Sequence, residues 1–206
     1  MSTNVRLLPN QPVPPLRVKT VGGPCWRLCD QKPQHFTLVL FYRGLHCPFC
    51  KDVLQAYEAH YEEFRKLGVR VLAVSADDCE RAERAVTDWK LDELTVCWGL
   101  TRDQAEAWGL FISEGEDDAF EGISEPEWFV EPAMFFIKPD NTLFASAVQS
   151  MPVAQPRMED VLNGVRYAIK NGVLPSGGAG GKPVEPVDNG CGCDEPIPLK
   201  ASRAAC

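Results

Sequence analysis

Apolar residues along this chain fall into two kinds of run, and the alternation between them predicts the architecture. Thr37-Leu38-Val39-Leu40-Phe41-Tyr42, Val69-Arg70-Val71-Leu72-Ala73-Val74 and Ala133-Met134-Phe135-Phe136-Ile137 are short and almost unbroken, as inner strands covered on both faces would be. Between the first two, Val53, Leu54, Tyr57, Tyr61 and Phe64 recur at three- and four-residue spacing, which predicts a helix from about Pro48 to Lys66, stopped by Gly68. Strand–helix–strand is then complete, with a right-handed crossover expected. Upstream, residues 1–15 are punctuated by Pro and Asn and are expected to run along the surface. Leu16–Val21, the Gly22-Gly23 turn and Cys25–Leu28 predict a hairpin. Downstream, Ser75–Lys90 reads as a helix capped by Ser75 or Asp77. A short strand near Leu94–Trp98 and a brief helix near Arg102–Trp108 follow. Leu143–Val148 returns from the Pro139-Asp140-Asn141 turn as an antiparallel partner, and Arg157–Asn171 presents Met158, Val161, Leu162, Val165 and Ile169 on one helical face.

Composition bounds this picture. The 206 residues are enough for one domain with a substantial core, and 45% apolar with 24% charged is ordinary globular usage. The pattern divides into a folded domain over 1–172 and a tail over 173–206, in which PSGGAGGKPVEP is a flexible linker and DNGCGCDEPIPLKASRAAC is too polar to bury a core. No apolar run is long enough to span a membrane, and MSTNVRLLPNQP lacks the apolar stretch of a signal peptide, so a cytoplasmic location is expected. There, nine cysteines suit thiols, redox couples or metal ligands better than a disulfide framework.

The net charge of −8 comes with no basic stripe, which argues against nucleic acid as a partner. Ser113–Pro132 holds eight acids (Glu114, Glu116, Asp117, Asp118, Glu121, Glu125, Glu127 and Glu131) and no base, so this stretch supplies the whole imbalance. It has no clear period and reads as a long loop, with or without a short turn of helix, that reaches the sheet just before Pro132. Its charge would either steer basic substrates in and acidic ones away, or be solvated without such a role.

Candidate chemistry centres on Phe36–Lys51, FTLVLFYRGLHCPFCK, where a strand and a turn at Gly44 lead to two cysteines at C-x-x-C spacing. Pro48 fits the first turn of a helix, which puts Cys47 at the N-terminus, where free N–H groups and the helix dipole favour a thiolate. In such a turn Cys47 is expected to be exposed and Cys50, one turn in, to be partly buried. His46 either donates to the thiolate or is a solvent-facing turn residue, and Arg43 is either an electropositive neighbour or a surface charge. A zinc half-site or an inert pair of thiols is the bland reading of the motif. Cys25 and Cys29 read as structural thiols or a second redox pair, and Cys79 and Cys97 as lone packed thiols. In the tail, Cys191, Cys193 and Cys206 could shuttle electrons to the dithiol, bind a soft metal, or simply be exposed.

The order of elements resembles the thioredoxin fold, and within it the peroxiredoxin-like (AhpC/TSA-type) branch. FTLVLFYRG with its cysteine-bearing turn, VRVLAVSADD, LTRDQAEAWGL and EPAMFFIKPDNTLFA carry the resemblance, over roughly residues 10–172. It implies an α/β thioredoxin-like fold, a central mixed sheet flanked by helices, with an N-terminal β-hairpin extension. It also implies that Pro132 is the cis-proline beside the site, with its backbone placed to pair with substrate. The chain departs from true peroxiredoxins, which carry Phe-Tyr-Pro and then Thr-x-x-Cys. Counting from Phe41-Tyr42, the proline position is Arg43, the threonine position Cys47 and the peroxidatic position Cys50. The peroxide-site arginine has no counterpart beside Pro132, where Glu131 stands and either modulates proton transfer or is a solvated loop acid. Cys-Pro-Phe-Cys is the kind of tetrad seen in glutaredoxins, so the chain resembles the peroxiredoxin-like offshoot with C-x-x-C.

The first functional expectation is therefore a thiol–disulfide oxidoreductase: Cys47 attacks an oxidised sulfur and Cys50 resolves the mixed disulfide. The alternative is a thiol peroxidase with Cys50, or Cys47, as nucleophile passing through a sulfenic acid. A third is a redox-inactive or metal-binding interaction module. The enzyme readings need no cofactor. They take a thioredoxin- or glutathione-type thiol reductant and a disulfide or peroxide substrate as partners, with no nucleic acid and no membrane.

Overall fold

A computed structural model describes residues 6–116, 119–120 and 122–178. In chain order the elements are β1 (Arg17–Thr20), β2 (Trp26–Arg27), a 3-10 turn (Leu28–Asp30), β3 (Phe36–Phe41), α1 (Pro48–Ala59), α2 (Tyr61–Lys66), β4 (Val69–Val74), α3 (Cys79–Trp89), β5 (Thr95–Trp98) and α4 (Arg102–Ala107). Then come β6 (Ile112–Glu114), β7 (Ala119–Phe120), β8 (Ile123–Ser124), β9 (Trp128–Val130), β10 (Ala133–Ile137), β11 (Leu143–Val148) and α5 (Met158–Asn171).

The unbroken apolar runs take the centre of a seven-stranded mixed sheet ordered β11-β10-β3-β4-β5-β1-β2. β3, β4 and β5 are parallel neighbours, and β10 and β1 join antiparallel on either side. All six residues of β3 are buried, and their alternation divides the interior into two layers. Leu38 and Leu40 face one layer with Leu54 and Tyr57 of α1, Phe64 of α2, Trp89 of α3 and Leu162 and Val165 of α5. Val39 and Phe41 face the other, with Trp108, Val13, Leu16 and Phe135. Each of these large side chains removed from water contributes about 1.5–3 kcal/mol. This is the thioredoxin-like α/β architecture, and the predicted N-terminal hairpin is present as β1–β2.

Several predicted boundaries move, each for a local reason. The single helix over Pro48–Lys66 is two, because the His60 ring bonds the Ala56 carbonyl at 3.0 Å and the backbone leaves helical geometry there. α3 begins at Cys79 instead of near Ser75: Asp78 caps it by accepting from the Arg81 N–H at 2.9 Å, while Asp77 turns inward. Residues 10–13 do more than run along the surface, since Asn10, Gln11 and Val13 bond the backbone of Asn141 and Leu143. The acidic stretch is strand-built: β6 pairs with β9 and, within that pair, β7 with β8. It leaves the sheet after α4 and returns at β10, next to the end of β3. No helix among the described residues is long and apolar enough to cross a membrane. The tail thiols Cys191, Cys193 and Cys206 lie outside the described residues.

Candidate active site

β3 delivers the chain to Tyr42, and six residues later α1 begins; the turn in between is shaped by one buried carboxylate. Asp77, 1% exposed, accepts from the Leu45 N–H at 2.9 Å and the Ser75 hydroxyl at 3.3 Å, and takes the Arg81 Nε–H at 2.8 Å. Burial pushes its carboxyl above the usual range, against the lowering by Arg81. Gly44 has φ +128°, and a Cβ there would stand 2.7 Å from the Asp77 oxygens, so only glycine lets the turn close on this anchor.

The turn presents Cys47 as the N-cap of α1, with Pro48 at the start of the helix as expected. Its sulfur accepts the Cys50 N–H at 3.2 Å. Both cysteines are free thiols, yet their environments differ in sign. The Cys50 thiol and backbone both donate to Cys47, and together with the Arg43 charge they hold its pKa below the ordinary thiol value, against burial and the Glu131 charge. Burial, and then the neighbouring Cys47, push Cys50 well above it. The gap beside Cys50, lined by Tyr42, Leu54, Pro132, Met134 and Gln149 among others, has about 10 Å³ of free volume, room for a single water at most. Contrary to the expectation of an exposed first cysteine, Cys47 is only 1% exposed, because Tyr42, Leu45 and Met134 belong to the apolar cluster that encloses it.

Around the dithiol the remaining expected residues assemble, with corrections. Arg43 is an electropositive neighbour: its Nη2 donates to Glu125 Oε1 at 3.1 Å, its Nε lies 3.8 Å from Glu131 Oε2, and its guanidinium rests on the Phe129 ring at 4.4 Å. His46 is neither a solvent-facing turn residue nor hydrogen-bonded to the thiolate. It is 5% exposed, with its ring centroid 4.7 Å from that of Phe129 and its Nδ1 3.4 Å from Arg81 Nη2. Burial and the two arginines lower its pKa to about 4, so it is neutral near pH 7 and its contact with Glu125 is no ion pair. A guanidinium only donates, so Nδ1 is the acceptor and the proton sits on Nε2. Glu131 is not a solvated acid: it is 6% exposed and accepts from the Ser113 hydroxyl at 2.7 Å.

Pro132 is where expected but its peptide bond is trans; none of the described peptide bonds is cis. The Glu131 N–H bonds the Phe111 carbonyl and the Pro132 carbonyl accepts from Gln149, so both backbone groups are satisfied without a cis turn. Of the other thiols, Cys25 and Cys97 are free. Burial, with Cys25 nearby, pushes Cys97 up to about 12. Cys29 and Cys79 are each disulfide-bonded, so Cys79 is not the lone packed thiol its helix position predicts. No group of three or more metal-ligating side chains converges among the described residues. Sequence reasoning passed over Asp77, Arg81, Ser113 and Phe129 as site residues. The only local signal was the Asp77–Arg81 spacing of four at a helix start.

A mixed sheet with parallel β3–α1–β4, and a dithiol where β3 meets α1, define a thioredoxin-like thiol protein. Residues 9–146 match the AhpC/TSA family, and the chain belongs to that family. It is accordingly a thiol-dependent oxidoreductase. Solved structures agree on the fold at low identity. The peroxidoxin BcpB of Mycobacterium tuberculosis is 15% identical, with TM-score 0.61 over 79% of this chain and 98% of its own. A peroxiredoxin-like protein of Aquifex aeolicus is 17% identical, with TM-score 0.63 over 80% and 90%. A yeast mitochondrial 1-Cys peroxiredoxin, whose thiol resolution via glutathione/thioredoxin systems was the subject of that structure, is 17% identical with TM-score 0.63 over 82% and 81%. No curated protein sequence matches the chain.

Proposed function

We propose that the protein is a dithiol oxidoreductase in which Cys47 is the attacking thiolate and Cys50 the resolving thiol. The observation that carries this reading is the opposite displacement of the two pKa values, down for Cys47 and well up for Cys50. Of the two sulfurs, Cys47 is then the more readily ionised and so the nucleophile. It attacks a sulfur of an oxidised substrate, RS–SR, forming Cys47–S–S–R and expelling a thiolate. Cys50 then attacks Cys47 Sγ, loses its proton and releases the second thiol, leaving a Cys47–Cys50 disulfide. An external thiol reductant, of the thioredoxin or glutathione type by analogy with the yeast relative, returns both electrons.

The enclosure of Cys47 favours a second reading within the same assignment: a small hydroperoxide reaches a 1% exposed sulfur more readily than a protein disulfide does. Cys47 would then take the hydroxyl as a sulfenic acid, releasing an alcohol or water, and Cys50 would displace water to form the same disulfide.

The test uses Cys50→Ser. A mixed disulfide trapped on Cys47 with a disulfide substrate supports the first reading, and a fast sulfenate on Cys47 with hydroperoxide supports the second. Turnover surviving in Cys47→Ser overturns both. Either reaction should fall off at a lower pH than the reaction of an ordinary thiol, because the Cys47 pKa is lowered.

A further inference from the structure

The polar groups beside Cys47 do not satisfy one another, and the mismatch has a direction. Arg43 Nε, His46 Nε2 and Glu131 Oε2 are buried and lack hydrogen-bond partners among the described residues. Arg43 and His46 both rest on Phe129, and both aim a donor at a single oxygen, Glu125 Oε1: Arg43 Nη2 from 3.1 Å, His46 Nε2 from 3.7 Å. The second is too long for a hydrogen bond. Glu125 is therefore an imperfect occupant of a two-donor seat. It comes from the acidic excursion between β8 and β9, is 21% exposed, and is held on its other oxygen by the Glu116 N–H at 3.0 Å. The seat itself is fixed by the frame: His46 is oriented by Arg81, which is anchored on buried Asp77 and also donates to the Ser124 carbonyl at 3.1 Å.

We propose that Arg43 and His46 form a carboxylate-binding subsite beside Cys47, and that Glu125 is its internal, displaceable occupant. The ligand is the carboxylate of an anionic thiol or disulfide substrate. Exchanging one carboxylate for another leaves the local charge unchanged, so the surrounding Arg81, Asp77 and Glu131 do not oppose it. Binding would complete the bond that His46 Nε2–H lacks and place the substrate's sulfur toward Cys47. The acidic excursion then acts as a competitor for the site, which reverses the expectation that its charge simply repels acidic substrates. This inference rests on Cys47 being the nucleophile.

The test compares two alkylating reagents with the same leaving group, in which the Cys47 thiolate displaces iodide: anionic iodoacetate and neutral iodoacetamide. A change in thiolate fraction alters both rates equally and cancels in their ratio. Glu125→Gln in the full chain should raise the iodoacetate-to-iodoacetamide ratio at Cys47 roughly tenfold, as expected for one charge removed at close range, and adding Arg43→Met should abolish the gain. An unchanged ratio in Glu125→Gln overturns the proposal. A second measurement does not need a reactive Cys47. Acetate titrated into Glu125→Gln should shift the His46 ring signals in NMR with saturation, at concentrations that leave wild type unmoved. Absence of that shift also overturns the subsite. A saturating shift with Cys47 unreactive toward both reagents upholds it and overturns only the nucleophile assignment.

Discussion

The Cys47 turn is held from two sides by regions built on different physics. The frame (β3, α1, β4 and the start of α3) is apolar, with Leu38, Leu54, Tyr57, Val74 and Ala85 almost fully buried and one carboxylate, Asp77, locked inside it. The excursion from β6 to β9 is polar and makes its site contacts through Glu125, Glu131, Ser113 and the Phe129 ring. Burial is non-directional and scales with area, whereas the charged contacts act on one atom at a time. Damage to the frame should therefore appear as lost stability, and damage to the excursion as altered reactivity of Cys47.

The frame offers the largest effect. Leu54→Ala, at a site 1% exposed, is expected to lower unfolding free energy by about 3 kcal/mol, read from urea melts. The pH profile of Cys47 alkylation in the native protein should stay in place. A shifted profile at unchanged stability would erase the distinction between the two regions. Gly44→Ala follows at about 2 kcal/mol, since it combines a left-handed φ with a Cβ crowding the Asp77 carboxylate. Here the turn itself moves, so reactivity of Cys47 is expected to fall together with stability.

The same division explains what could be read from the chain alone. β10, β11 and nearly all of α5 fall at their predicted residues because alternating or continuous apolar runs report burial directly. The dithiol and its helix N-terminus were equally legible, since Pro48 and the C-x-x-C spacing are local signals. The excursion was not. Its strands are two or three residues long, and their pairing is set by register across the β6–β9 ladder and by Arg43, 82 positions before Glu125. Nothing within a local window marks Glu131 as buried, His46 as turned toward Arg81 or Cys47 as enclosed. Those are outcomes of which distant residues pack on the turn: Met134 of β10 against Cys47, Arg81 of α3 against His46 and Ser113 of β6 against Glu131. The cis-proline expectation failed for a related reason: it was carried over from fold resemblance, while the backbone bonding around Pro132 is decided by Phe111 and Gln149.

His46 joins the two regions and gives a pH-dependent test of the junction. Its pKa is about 4 in the folded state against 6.5 for the free side chain, so between these values the unfolded chain holds more protons. Its contribution to stability is complete above about pH 6.5 and is lost as pH falls toward 4, with a limiting slope of about 1.4 kcal/mol per pH unit. Subtracting the stability-versus-pH curve of His46→Asn from that of wild type isolates this slope from the carboxylates. A difference curve that is flat from pH 4 to 6.5 would place His46 in water and detach the excursion from the turn.

The smallest change in stability should accompany the sharpest change in chemistry, in Glu131→Gln. The amide keeps an oxygen for the Ser113 hydroxyl, so unfolding free energy should move by no more than about 1 kcal/mol. The carboxylate charge that opposes the Cys47 thiolate is gone, while Arg43, which favours the thiolate, remains beside it. The alkylation profile of Cys47 is then expected to shift to lower pH. A shift to higher pH would mean that Glu131 acts mainly through its 3.8 Å contact with Arg43 Nε, by keeping that guanidinium in place, and not through its own field on the thiolate. In either direction a profile that moves without a matching loss of stability assigns Glu131 to the reactivity-setting side of the molecule. A loss of several kcal/mol with the profile fixed would instead make the excursion part of the frame.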